Sequence, residues 1–364
     1  MKRRDVIRGL GAGAAAAAVA ACSRDAGPAG AAADARTYEW RLVTTWPANF
    51  PGLGTGAIDF AKRVEACSAG RLKIRIYGDG ELVPAFETFD AVSSGTAELG
   101  HGASYYWKGK VPASSFFASI PFGLIAQEMN AWLYHGGGWE LWKEAYAPFG
   151  LLPVPCGSSG TQMGGWFRKE IRSLADIRGL KMRIPALGGE LIARAGGTPV
   201  TMPGSEIFTS LQSGAIDAAE WIGPYNDLAF GLHKAAKYYY YPGWQEPGSA
   251  LEMIINQAAF DSLPEDLREI VLTCASATND RMAAEFTARN AEALQTLVRD
   301  HGVQVRRYPE DVIRELQRLS AEVLEETART DAMFRRVLDS LQAFRQTMTP
   351  YINIAERAML NTRA

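Results

Sequence analysis

Twice along this chain a strand is followed by a helical pattern and then by a second strand, and that alternation restricts the fold more than any other feature. Trp40-Arg41-Leu42-Val43-Thr44-Thr45-Trp46 reads as a strand, Ile58, Phe60, Ala61 and Val64 recur at helical spacing, and Leu72 to Tyr77 is a second strand. The second series opens with Leu180 to Ile184, closed by Pro185. Gly188-Gly189 leads into a short helix ending at Gly196-Gly197, and Pro199 to Met202 is extended. Ser205 then suits the N-cap of a helix from Glu206 to Ser213, Gly214 stops it, and Ala215 to Ile222 is the next strand. Such β-α-β units give parallel strands covered by helices. Two of them in 364 residues predict an α/β protein with two lobes and a cleft between them.

The last third differs. Pro264 to Asp300 has helical periodicity without an internal Gly or Pro, and Gly302 to Arg307 allows one strand. Pro309 fits the first turn of another helix, and no Gly or Pro follows as far as Met348. At 1.5 Å per residue that is one helix of up to ~60 Å. It carries Ile313, Leu316, Leu319, Val323 and Leu324, then Phe334, Val337, Leu338, Leu341 and Phe344. A helix of that length either spans both lobes or leaves the body to pack on a partner.

The first residues read as an export signal, residues 1–22. Lys2-Arg3-Arg4-Asp5-Val6-Ile7-Arg8 supplies a twin arginine and charge, and an apolar run from Gly9 to Ala21 follows. The run is shorter than the ~20 residues that cross a bilayer. Val19-Ala20-Ala21-Cys22 resembles a lipoprotein cleavage box, which would make Cys22 a lipidated N-terminus; ordinary cleavage between Ala26 and Ala35 is the competing reading. Residues 23–36, rich in Ala, Gly, Pro and Asp, read as a flexible tether. A net charge of −2 argues against a nucleic-acid binder. Beyond the signal, Cys67, Cys156 and Cys274 are an odd number without metal-like spacing, which favours buried free thiols over a disulfide framework, although one pair could form in an oxidising compartment.

Several motifs fail on inspection. Gly52-Leu53-Gly54-Thr55-Gly56-Ala57 matches a dinucleotide fingerprint, with Asp79 after the next strand. Pro47 and Pro51 lengthen the loop beyond the tight turn that motif needs, and Gly78-Asp79-Gly80 reads as a turn. Gly157-Ser158-Ser159-Gly160 is not a hydrolase elbow. His101, His135, His233 and His301 lack metal spacing. The sharper signal is polar residues at strand ends. Arg183 closes an otherwise apolar strand, where a guanidinium offers a planar fork to a carboxylate, with a salt bridge inside the lobe as the equal alternative. Glu220-Trp221 ends another strand, where a carboxylate needs a partner or a cation. Gln162 follows a Gly/Ser segment, and Trp244-Gln245-Glu246-Pro247-Gly248 is a further polar cluster. One arginine among carboxamide and carboxylate oxygens suits an anion held with a hard cation.

These segments carry a resemblance. Phe86 to Gly95, Glu98 to Gly102, Tyr105 to Lys110, Gln162 to Ile171, Gly179 to Pro185, Gly214 to Trp221 and Tyr239 to Trp244 resemble the DctP family of TRAP-transporter solute-binding proteins, and especially its 2-oxoacid-binding branch. The likeness covers roughly residues 38–360. It implies a periplasmic binding protein with a hinged cleft. Lobe I would take residues 37–160 and about 223–258, lobe II 161–222 and about 259–308, and 309–364 would be the long C-terminal helix. It implies that Arg183 clamps the substrate carboxylate. A sodium ion, or alternatively calcium, would bridge substrate and protein through Gln162, Glu220 and the Trp221 carbonyl, with Glu246 completing the shell. Tyr105 and Tyr106 would face the cleft, one of them bonding the ligand. The branch also implies a homodimer through the C-terminal helix and delivery to TRAP membrane permease subunits. The ligand would be a small 2-oxo or 2-hydroxy monocarboxylate such as pyruvate or lactate. Two alternatives stay open: a receptor for a larger organic acid, and an exported lyase or oxidoreductase using Glu220 or Glu246 as acid or base.

Overall fold

The computed structural model describes residues 36–363, so the export signal, Cys22 and all of the tether except Arg36 lie outside the described residues. Eleven strands follow in chain order: β1 Tyr38–Thr44, β2 Leu72–Tyr77, β3 Leu99–Gly102, β4 Leu151–Gly160, β5 Gly165–Phe167, β6 Lys181–Arg183, β7 Thr198–Val200, β8 Ala218–Ala219, β9 Tyr238–Tyr241, β10 Ser249–Asn256 and β11 Gln304–Arg307. They form two sheets, β2-β1-β3-β10-β4 and β11-β9-β5-β8-β6-β7.

In the first sheet β1 lies parallel to both β2 and β3, as the opening β-α-β predicts, while β10 runs antiparallel between β3 and β4. The period of two along β1 sends Trp40 and Leu42 to one face, under Phe60 and Val64 of helix Leu53–Cys67. Val43 joins Phe89 and Trp107 in the core on the other face. In the second sheet β6 is parallel to β7 and β8, and β5 is antiparallel to β8 and β9. The chain passes from the first sheet to the second at residues 161–164 and returns at 242–248, so Gln162 and Glu246 sit on neighbouring crossings.

Four expectations are corrected. Tyr238–Tyr241 pairs with β5 and β11 in the second sheet, although residues 223–258 read as part of the first lobe. The 35-residue helix Glu265–Arg299, about 52 Å long at 1.5 Å per residue, packs on β4 and helix Leu53–Cys67 as well as on helix Pro224–Phe230, so it is not confined to the second lobe. The strand read from Ala215 to Ile222 keeps only Ala218–Ala219. The continuous helix expected after Pro309 breaks at Asp331 into Glu310–Thr330 and Ala332–Ile354. There the backbone is extended (φ −130°, ψ 113°) and the Asp331 carboxylate accepts from the Phe334 amide at 2.8 Å, capping the second helix. The first of these helices packs on Ala186–Arg194 of the second sheet's layer, the other on Gly138–Tyr146 of the first's.

The first lobe's core contains one carboxyl outside the site. Glu252 on β10 is fully buried and accepts from Trp107 Nε1. Burial pushes its pKa up to about 8, against the Trp107 indole N–H and the nearby Tyr146, which favour the charged form. Between its ordinary value of 4.5 and about 8 the folded state therefore holds a proton that the unfolded state has lost. Its contribution to stability falls as pH rises through that window, by ~1.4 kcal/mol per pH unit, and is level above it. Glu252→Gln is expected to remove this slope. Urea unfolding from pH 5 to 8.5 should show the variant gaining on the parent as pH rises; a pH-independent difference would contradict the assignment.

Candidate functional site

The carboxyl ends of the strands converge on one buried cluster. Gly102 of β3 leads into the turn Ser104–Trp107, which presents Tyr105 and Tyr106. Arg183 ends β6, Glu220 and Trp221 follow β8, and Gln162 and Glu246 come from the two crossings. Arg183 is 1% exposed and Glu220 fully buried. Arg183 Nη1 donates to the Glu220 carboxylate, and to its carbonyl at 3.0 Å. Nε and Nη2 both donate to the Met202 carbonyl at 3.3 Å, and the guanidinium carbon lies 5.3 Å from the centre of the Trp221 ring. Gln162 Nε2 donates to Glu246 Oε2 at 2.8 Å, Ser159 Oγ at 3.0 Å and Ser249 Oγ at 3.1 Å. Tyr106 lies beside Arg183 and Tyr105 beside Glu246, and the two tyrosine rings meet edge to face at 4.8 Å. All seven residues singled out in the sequence are therefore in one place.

The electrostatics are those of a buried site with more carboxyls than guanidinium groups. Burial opposes the Arg183 charge, but Glu220, the two tyrosines and Glu246 outweigh it, so the guanidinium is held firmly in its charged form. Burial raises the Glu220 carboxyl well above the ordinary carboxylate range, with Arg183 pulling the other way. Burial likewise pushes Glu246 up to about 7, against Ser249, Arg183, Tyr105 and Gln162. Two oxygens, Gln162 Oε1 and Glu220 Oε2, are buried without a hydrogen-bond partner, as is the Trp221 indole N–H. Unpartnered buried oxygens are rare in proteins. A carboxamide and a carboxylate oxygen left without partners in one buried cluster fit a hard cation. Among the described residues no three His, Cys, Asp or Glu side chains group as a metal cage.

Sequence reasoning missed the supporting residues. Ser159 and Ser249 orient Gln162, and Ser249 also donates to Glu246 at 2.6 Å. Asp227 accepts from Trp166 at 2.8 Å, Tyr239 at 2.6 Å and the Ile222 amide at 3.2 Å, which holds the segment after Trp221. A serine near a glycine gives no such signal by itself, and Asp227 looks like an ordinary first-turn acid of a helix. Ser205, read as an N-cap, lies inside helix Gly204–Ser213 and donates instead to Asp79 at 2.8 Å. Gly243 has its own role: a Cβ there would strike the Gln162 carbonyl. Gly243→Ala is expected to displace Gln162 and to weaken ligand binding by about 10-fold or more, the cost of a small steric misfit in a close-packed core. Unchanged affinity in titration calorimetry would mean that Gln162 tolerates the shift.

The dinucleotide reading fails for a packing reason. A Cβ on Gly52 would lie 2.7 Å from Phe286, and one on Gly56 would strike Met282. These glycines let helix Leu53–Cys67 approach the 35-residue helix closely, and Asp79 is spent on the Ala85 amide and Ser205.

Residues 42–331 match the model of the bacterial extracellular solute-binding proteins, family 7, known as DctP. The chain belongs to the DctP family. A monocarboxylate 2-oxoacid-binding periplasmic protein of Nostoc sp. strain PCC 7120 is 42% identical over 361 residues, 99% of this chain and 98% of its own. A TRAP periplasmic solute-binding protein of Pseudoalteromonas atlantica T6c, solved with sodium and pyruvate, is 42% identical with a TM-score of 0.87, covering 90% of this chain and 99% of its own. Another from Colwellia psychrerythraea, solved with calcium and pyruvate, is 42% identical with a TM-score of 0.88, covering 90% and 100%. This DctP-family chain is thus a solute-binding protein of the extracytoplasmic type, and its two sheets and long C-terminal helices are those of its relatives. Its buried carboxyls belong to a receptor, which removes the lyase or oxidoreductase reading.

Proposed function

We propose that this receptor captures a small 2-oxo monocarboxylate of the pyruvate class together with a cation, and hands it to the membrane subunits of a TRAP transporter. The observation that carries the reading is the buried Arg183 beside two oxygens, Gln162 Oε1 and Glu220 Oε2, that lack partners. The guanidinium holds the ligand carboxylate, and Tyr105 or Tyr106 adds a hydroxyl. Gln162, Glu220, the Trp221 carbonyl and Glu246 would hold the cation, which would offer a Lewis-acid contact to oxygens of the ligand. A fatty acid of equal size offers no keto oxygen and leaves that shell short.

Charge bears on the choice of ion. Glu220, Glu246 and the ligand bring three carboxyl groups against one guanidinium, so a divalent ion balances the ionised set and sodium leaves one negative charge for the tyrosine and amide donors to offset. Both ions occur with pyruvate in relatives of 42% identity. A homodimer through the C-terminal helices fits the exposed Tyr351, Ile354, Met359 and Leu360, an apolar stretch at the end of the chain. Attachment through Cys22 would keep the receptor beside its permease. Titration calorimetry with pyruvate, in sodium, in calcium and in chelated choline buffer, tests the reading: cation-dependent binding without turnover supports it, and cation-independent binding opposes it.

A further inference from the structure

Helix Leu53–Cys67 and the 35-residue helix Glu265–Arg299 run side by side in opposite directions. Gly56 lies against Met282, Asp59 is 3.7 Å from Arg281, and Arg71 just beyond the first helix pairs with Asp266. Between these contacts the same register brings together the last residue of the first helix and the third turn of the second. Those residues are Cys67 and Cys274, whose thiols lie near enough to act on one another electrostatically. Cys67 is exposed, and Cys274 is buried in the core cluster that holds Phe60 and Val64. The third thiol, Cys156 on β4, is fully buried.

We infer that Cys67 and Cys274 form an intramolecular disulfide that staples the first helix to the 35-residue helix outside the cytoplasm. Extracytoplasmic compartments sustain such bonds. The oxidant is another disulfide, of a thiol oxidoreductase or of glutathione. Cys67 is the accessible partner, so its thiolate attacks one sulfur of that disulfide and releases the other as a thiol. Cys274 then loses its proton and attacks the Cys67 sulfur, expelling the second thiol. One S–S bond is gained and one lost; two protons and two electrons pass to the oxidant. Burial, reinforced by Cys67, pushes the Cys274 thiol up to about 11, which makes the second step the slow one. The bond closes a loop of most of the folded chain, the case in which a cross-link constrains the unfolded state most.

The test is incubation of the purified protein with glutathione disulfide at pH 8, followed by peptide mapping and thermal melting. A peptide linking Cys67 to Cys274, with a melting point roughly 4 °C or more above the dithiothreitol-treated protein, is expected. Cys67→Ser, a change at an exposed position, should erase that difference. Pyruvate affinity should be the same in both redox forms. A glutathione adduct on Cys67 alone, a disulfide-linked dimer, or equal melting points despite the cross-link would overturn the inference.

Discussion

Arg183→Lys is expected to lower the affinity for a 2-oxo monocarboxylate by about 100-fold or more, in line with the ~2–5 kcal/mol that disrupting a buried charged contact costs. Lysine keeps the charge but loses the planar fork that meets two carboxylate oxygens at once. The structure also changes what the alanine variant would report. Arg183 is 1% exposed and its partner Glu220 is fully buried. Removing the guanidinium strands a buried carboxyl, which costs ~3–5 kcal/mol of stability. The sequence leaves a salt bridge and a ligand clamp as equal readings of Arg183, and the structure shows the buried ion pair with Glu220. Arg183→Met combined with Glu220→Gln separates the two effects, because it removes both charges. Its urea midpoint should return close to that of the parent while pyruvate binding stays lost. Retained binding in the double variant would show that the ligand does not use Arg183.

Glu220→Gln alone is expected to abolish the dependence of ligand affinity on sodium or calcium and to reduce the affinity itself by roughly 30-fold or more. The amide keeps the shape and a carbonyl oxygen for Arg183 but withdraws the charge that a hard cation requires. Glu252→Gln is the matched control, since Glu252 is as buried as Glu220 but bonds Trp107 in the first lobe's core. It should leave affinity and cation dependence as they are. Equal behaviour of the two variants would remove Glu220 from the cation shell.

Much of this arrangement is legible in the sequence. The period of two in β1 and the helical spacing from Ile58 to Val64 fix a parallel β-α-β, because each face of strand and helix has only one way to be buried. Arg183 and Glu220 announce themselves because a charge at the end of an apolar strand must be answered. What the sequence hides are relations made only by folding. Glu246 meets Gln162 across 84 positions of chain, and Ser249 completes their network. Tyr238–Tyr241 reads as a strand of either sheet, and only its pairing with β5 and β11 decides. The break at Asp331 needed no Gly or Pro; a side-chain cap suffices, and that is why counting helix breakers produced one helix where there are two. Cys67 shows the same limit, exposed where composition predicted a buried thiol.

The most direct test of the central claim is titration calorimetry of the purified protein with pyruvate in three buffers: sodium, calcium, and choline with a chelator. The account predicts binding with one ligand per chain in at least one of the first two, little or none in the third, and no conversion of pyruvate during the experiment. Tight binding in chelated choline, or no binding in any of the three, would contradict a receptor whose carboxylate ligand shares its site with a cation.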